Sequence, residues 1–179
     1  MYILSQVLVC IADLFYVLSM LNSKKKGLVF YLLVSDVLFA SHYMCLGGWT
    51  GASIIFVDVV YLLIMYILEK KEKTKNNLIT TVFAMIITVV LAVLTWDTAL
   101  SLLPTFSMLL YLVGMIFTST IFVKIGSFLR NTLNVVYMFI LASYLGVGLE
   151  VCLMISAIVG IILDSKRQKL NKNQTIQGE

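Results

Sequence analysis

Polar breaks divide this chain into apolar runs each close to the length of one membrane-crossing helix, and that spacing leaves few folds open. The runs are Tyr2–Asn22, Gly27–Leu46, Ala52–Glu69, Leu78–Trp96 and Thr98–Val123, followed by Phe128–Leu163. The last is too long for one helix, and Gly146-Val147-Gly148 divides it into two. A hydrocarbon core about 30 Å thick takes roughly 20 apolar residues per helix. Seven such helices use nearly all of the 179 residues, so no aqueous catalytic domain fits. Composition agrees: 61% of residues are hydrophobic and 12% charged, against about 45–50% and about 25% in soluble domains. The expected fold class is an all-α integral membrane protein with seven transmembrane helices. Ser165–Glu179 is polar, lacks aromatics and reads as a disordered tail.

The basic residues give an orientation. With seven spans, all 13 Lys and Arg residues, Arg130 included, are expected on or within about a turn of one membrane face. The positive-inside rule makes that face cytoplasmic, with the N-terminus outside and the C-terminus inside. The first run has no basic segment before it and is followed by Lys24-Lys25-Lys26, so it reads as an uncleaved span rather than a secretory signal. The net charge of +4 is spread over these connections and points to membrane orientation, not to nucleic acid.

An internal repeat follows from the same pattern. A shift of 95 residues places Tyr16 on Tyr111, Met20 on Met115, Leu38 on Leu133 and Glu69 on Asp164. Each half reads span, basic loop, span, glycine turn, span, acidic-basic exit. Three spans invert the chain, so two halves of like orientation need one extra crossing, which Leu78–Trp96 supplies. The predicted architecture is 3+1+3 with parallel repeats about an axis along the membrane normal. Its parts are a first three-helix repeat (1–69), a loop and linker helix (70–97), a second repeat (98–164) and the tail (165–179).

Ionisable side chains inside hydrocarbon are functional candidates by default. Asp13, Asp36 and Asp58 fall within the first three spans, and no Lys or Arg is expected at mid-membrane depth to pair with them. Three ionised carboxylates in one unit would repel, so a proton-coupled or cation-accepting cavity is the expected chemistry. The alternative is that each carboxyl hydrogen-bonds a neighbouring helix as structural glue. The repeat places Asn131 opposite Asp36 and Tyr137 opposite His42, and Asn134 shares a helix face with Tyr137. His42, the only histidine, reads either as a proton relay or as a side chain bonded to a backbone carbonyl. Cys10, Cys45 and Cys152 read as buried thiols. No metal-ligand spacing, phosphate loop or nucleophile–base pair is present in the sequence, so neither enzyme activity nor a cofactor is expected.

The chain resembles the YgjV-type bacterial inner membrane proteins. The resemblance rests on Asn22-Ser23-Lys24-Lys25-Lys26, His42-Tyr43-Met44-Cys45-Leu46-Gly47 and Gly51-Ala52-Ser53 in the first half. Further along, Leu102-Leu103-Pro104 and Gly146-Val147-Gly148-Leu149-Glu150 carry it. That family is similar to the PQ-loop and SWEET-like seven-helix proteins, which implies a small-molecule carrier of the cytoplasmic membrane. The Pro-Gln pair of the PQ-loop group is absent, and Tyr137 stands where a second-repeat histidine would be expected. The partners this reading implies are the lipid bilayer and a small polar solute, with a second copy of the chain left open. The competing class is a non-transporting membrane subunit.

Overall fold

In a computed structural model the chain is described over residues 2–45, 49–71, 77–94, 102–140 and 144–177. Those residues form seven α-helices and no strand: α1 (Tyr2–Leu21), α2 (Lys25–Cys45), α3 (Trp49–Lys70), α4 (Asn77–Leu94), α5 (Leu102–Ile116), α6 (Thr120–Ile140) and α7 (Tyr144–Gln177). Windows in α1, α4 and α7 (Leu4–Leu21, Asn77–Leu94 and Val147–Leu170) are long and apolar enough to cross a bilayer.

Helices adjacent in sequence pack in two runs, α1–α2–α3 and α5–α6–α7. The α4 helix touches α3 and α5, and α1 closes against α7. The interior holds Tyr16, Met20, Leu28, Leu62, Tyr111 and Met115, all nearly or fully buried. The outer surface is apolar: Leu94 is 75% exposed, Ile79 71% and Phe139 66%. A water-soluble monomer rarely exposes apolar surface so continuously.

Backbones approach closely where side chains are missing. Gly114 of α5 and Gly126 of α6 face one another, and a Cβ on Gly114 would lie 2.6 Å from the Phe122 carbonyl. Gly160 of α7 lies against the Met20 carbonyl of α1 so tightly that a Cβ there would collide with it. Small residues serve this purpose at membrane helix interfaces, where close van der Waals contact replaces the hydrophobic effect.

Several boundaries differ from the sequence expectation. The fifth run ends at Ile116, and α6 starts at Thr120 rather than near Phe128. The break falls at Thr118-Ser119, hydroxyl residues that compete for backbone hydrogen bonds and favour helix starts. The last helix pair divides between Ile140 and Tyr144, and Gly146, Val147 and Gly148 lie inside α7. Of the expected turn at Gly47–Gly51, Trp49, Thr50 and Gly51 are helical, while Gly47 and Gly48 lie outside the described residues. Asp97, expected at the end of the fourth span, lies outside them too. Instead of a disordered tail, α7 runs on to Gln177, since Ser165–Gln177 contains neither proline nor glycine to stop it. Cys10 and Cys152 are exposed on the apolar exterior rather than buried, and Cys45 is intermediate.

Candidate functional site

The correction with most consequence concerns Arg130. Because α6 begins at Thr120, Arg130 stands ten residues inside it, about 15 Å along the axis. It is therefore near the middle of its helix and not within a turn of the end. Its Nη1 donates to Asp58 Oδ2 of α3 at 3.3 Å. The guanidinium also lies over the Tyr111 ring of α5, 5.1 Å from the centroid, a cation–π arrangement that gains strength away from water. The Arg130 side chain is 22% exposed and that of Asp58 only 3%. Asp36 of α2, also buried, has its carboxyl beside Asp58 and within electrostatic reach of Arg130.

The cluster continues on the other side of the guanidinium. Asn131 Nδ2 donates to the Tyr16 hydroxyl at 3.1 Å, which ties α6 to α1. Asn134 Nδ2 donates to Glu150 Oε1 of α7 at 3.2 Å. Glu150 interacts in turn with Arg130 and with the half-buried Asp13 of α1. Asp13 Oδ2, Asp58 Oδ1 and Glu150 Oε2 are buried acceptors with no hydrogen-bond partner. Three carboxyl groups, Asp36, Asp58 and Glu150, thus lie within reach of one guanidinium, with Asp13 next to Glu150, and the arrangement has unmet capacity to accept positive charge.

Six helices contribute to this seam: α1, α2 and α3 from one run, α5, α6 and α7 from the other. Of the residues expected from sequence, Asp36, Asp58, Asp13, Asn131 and Asn134 are in it. His42 stands at its edge, within electrostatic reach of Asp13, while its Nδ1 lies 2.8 Å from both the Ser5 hydroxyl and the Ser5 carbonyl oxygen, fastening α2 to the start of α1. Tyr137 is half-buried on α6, and no hydrogen bond from its side chain joins it to the cluster. Sequence reasoning missed Arg130, Glu150, Tyr16 and Tyr111 as site residues. The repeat alignment had paired the two tyrosines, and Glu150 was visible as an ionisable residue in an apolar run.

A second polar layer lies at the end of the bundle where α2 and α6 begin. Lys25 Nζ pairs with Glu69 at 3.4 Å and donates to the carbonyls of Met115 at 3.1 Å and Phe117 at 2.6 Å. It thereby joins α2 to α3 and to the last turn of α5, whose free carbonyls attract a cation. Asn77 of α4 donates to the same Glu69 at 2.9 Å. Lys124 Nζ pairs with Asp164 at 2.6 Å, and Thr120 donates to that carboxylate at 2.7 Å. Among the described residues no group of three or more His, Cys, Asp or Glu is placed to hold a metal ion.

A family model for bacterial inner membrane proteins, Imp-YgjV, matches residues 3–168. The chain belongs to that family. The Imp-YgjV match runs from the start of α1 past Asp164, so the seam and the second polar layer both lie inside it. No curated protein and no solved structure matches the chain.

Proposed function

We propose that this Imp-YgjV protein is a secondary carrier or facilitator for a small polar solute, working through the seam between two three-helix units and coupled to protons. The observation that carries the reading is the Arg130–Asp58 pair, a part-buried ionic contact between α6 and α3 from different units. Ionisable groups inside a membrane bundle mark solute and proton pathways more often than they mark stability. Excess carboxylate around a single guanidinium favours a proton or a cationic solute as the species that balances the charge.

The finer architecture proposed is 3+1+3, with α4 as the inverting helix. Burial supports it: Tyr16 and Tyr111, Met20 and Met115, Leu28 and Val123, Asp36 and Asn131, and Leu62 and Ala157 are all buried, pair by pair, at a spacing of 95 residues. Hydrogen bonding supports it as well. Lys25 contacts Glu69 in the first unit, and Thr120 contacts Asp164 at the same spacing in the second. The proposed topology has the N-terminus outside and the C-terminus in the cytoplasm.

Purified protein screened against a metabolite panel by thermal shift, followed by uptake of any stabilising solute into proteoliposomes, tests the function. Solute-dependent stabilisation and uptake that varies with pH are expected. A stoichiometric co-purifying membrane protein, with no solute effect across the panel, would replace this reading with that of a non-transporting subunit.

A further inference from the structure

Away from the seam, α3 and α4 pack less closely than the other neighbouring helices, and a cavity of about 220 Å³ lies between them. Its walls are Phe56, Val60 and Ile64 from α3 and Phe83, Ala84 and Ile87 from α4. Tyr61 also reaches it, but the Tyr61 hydroxyl is turned to Thr81 at 3.0 Å, which leaves the slot almost without polar surface. Phe56 is 62% exposed and Phe83 64%, so the slot opens on the apolar exterior.

We propose that this slot holds one acyl chain of an anionic phospholipid, with the lipid phosphate at Lys71. Apolar walls turn away a polar solute. A packed helix is about 10–12 Å across with its side chains, too wide for a slot of this volume, whereas a single hydrocarbon chain is thin enough to enter. The headgroup is placed by charge. Val57, Val60 and Ile64 form a stripe at helical spacing, and the same stripe continues through Leu68 to the exposed Lys71. Lys71 is seven residues beyond Ile64, about 10 Å along the axis, a distance that one lipid spans between chain and phosphate. The α4 helix begins at Asn77 at this same end, where Asn77 bonds Glu69. The exposed Lys71 ammonium favours an anion there. The site stands independently of whether the seam carries a solute.

The test is native mass spectrometry of protein released from nanodiscs of equal phosphatidylglycerol and phosphatidylethanolamine. One phosphatidylglycerol retained per chain is expected. Val60→Trp, which fills the slot from its open side without touching the buried core, should abolish retention while leaving helicity and elution volume unchanged. Lys71→Gln should keep a lipid but lower the preference for phosphatidylglycerol about fivefold, the factor set by one basic residue near an anionic surface. Equal retention by wild type and Val60→Trp would overturn the proposal. So would lipid retention indifferent to headgroup in the wild type, or a wild-type dimer that Val60→Trp converts to lipid-free monomer.

Discussion

Arg130 and Asp58 meet at 3.3 Å from α6 and α3, helices that share little close backbone approach. Side chains, not close backbone packing, join α3 and α6 at this depth. Removing the cation should leave Asp58 and Asp36 buried together without compensation. Breaking a buried pair costs about 3–5 kcal/mol when one charge is left behind. Arg130→Met is therefore expected to lower the melting temperature in detergent sharply, and Arg130→Met/Asp58→Leu to recover much of the loss. A double variant no more stable than the single one would show that the pair is not what holds the seam.

Asp36 gives the functional counterpart. Asn keeps its shape and much of its hydrogen-bonding capacity, so Asp36→Asn should be close to wild type in abundance and melting temperature. Once a transported solute is known, uptake by that variant should lose its dependence on pH. Wild-type uptake across the pH range would remove Asp36 from the coupling site.

Lys124 and Asp164 make the most deeply buried ion pair described, with side chains 0% and 3% exposed. Lys124→Met should cost at most about 3–5 kcal/mol, since Arg167 still faces the Asp164 carboxylate at 3.8 Å, while Lys124→Met/Asp164→Leu should be close to neutral. Thermal unfolding of the three proteins under one detergent condition is the measurement. Equal destabilisation of the single and double variants would assign the cost to packing rather than to stranded charge.

Gly160 sits on the Met20 carbonyl, a backbone atom that cannot swing aside. Gly160→Ala is expected to force α7 from α1 and to cost about 1–3 kcal/mol, in the range of an overpacked interior. Gly148 has open space around it, so Gly148→Ala serves as the control and should be tolerated.

The proposed orientation is tested by reporters fused after Gln177. A reporter active only in the cytoplasm should work there, and one active only outside should not. The reverse result would reject the seven-span topology.

The helices were legible because apolar runs of near-bilayer length leave little choice of structure. Their ends were less so. Thr118-Ser119 is a weak break inside an apolar stretch, and passing over it set the start of α6 about eight residues late. That single shift moved Arg130 from mid-helix to a surface position and hid the counter-ion of Asp58. His42 shows the opposite limit. Its bond to Ser5 joins residues 37 apart in sequence, and nothing in local pattern distinguishes such a fastening from a proton relay. Asp36 and Asp58 could be named from sequence because a carboxylate in an apolar run is conspicuous by type alone. That their carboxyls lie side by side depends on how α2 and α3 pack.

The Lys25 contacts to Met115 and Phe117 set an order of events during synthesis. Lys25 finds those carbonyls only when residues 90 and 92 positions later are in place, and Asp58 waits 72 residues for Arg130. At about 5–20 residues per second, the 72-residue wait lasts roughly 4–14 s. For that interval Asp58 stands without the guanidinium that later faces it, while Lys25 has Glu69 within reach but not its two carbonyls. A chain halted after α4 therefore holds Asp58 without Arg130 and Lys25 without the Met115 and Phe117 carbonyls.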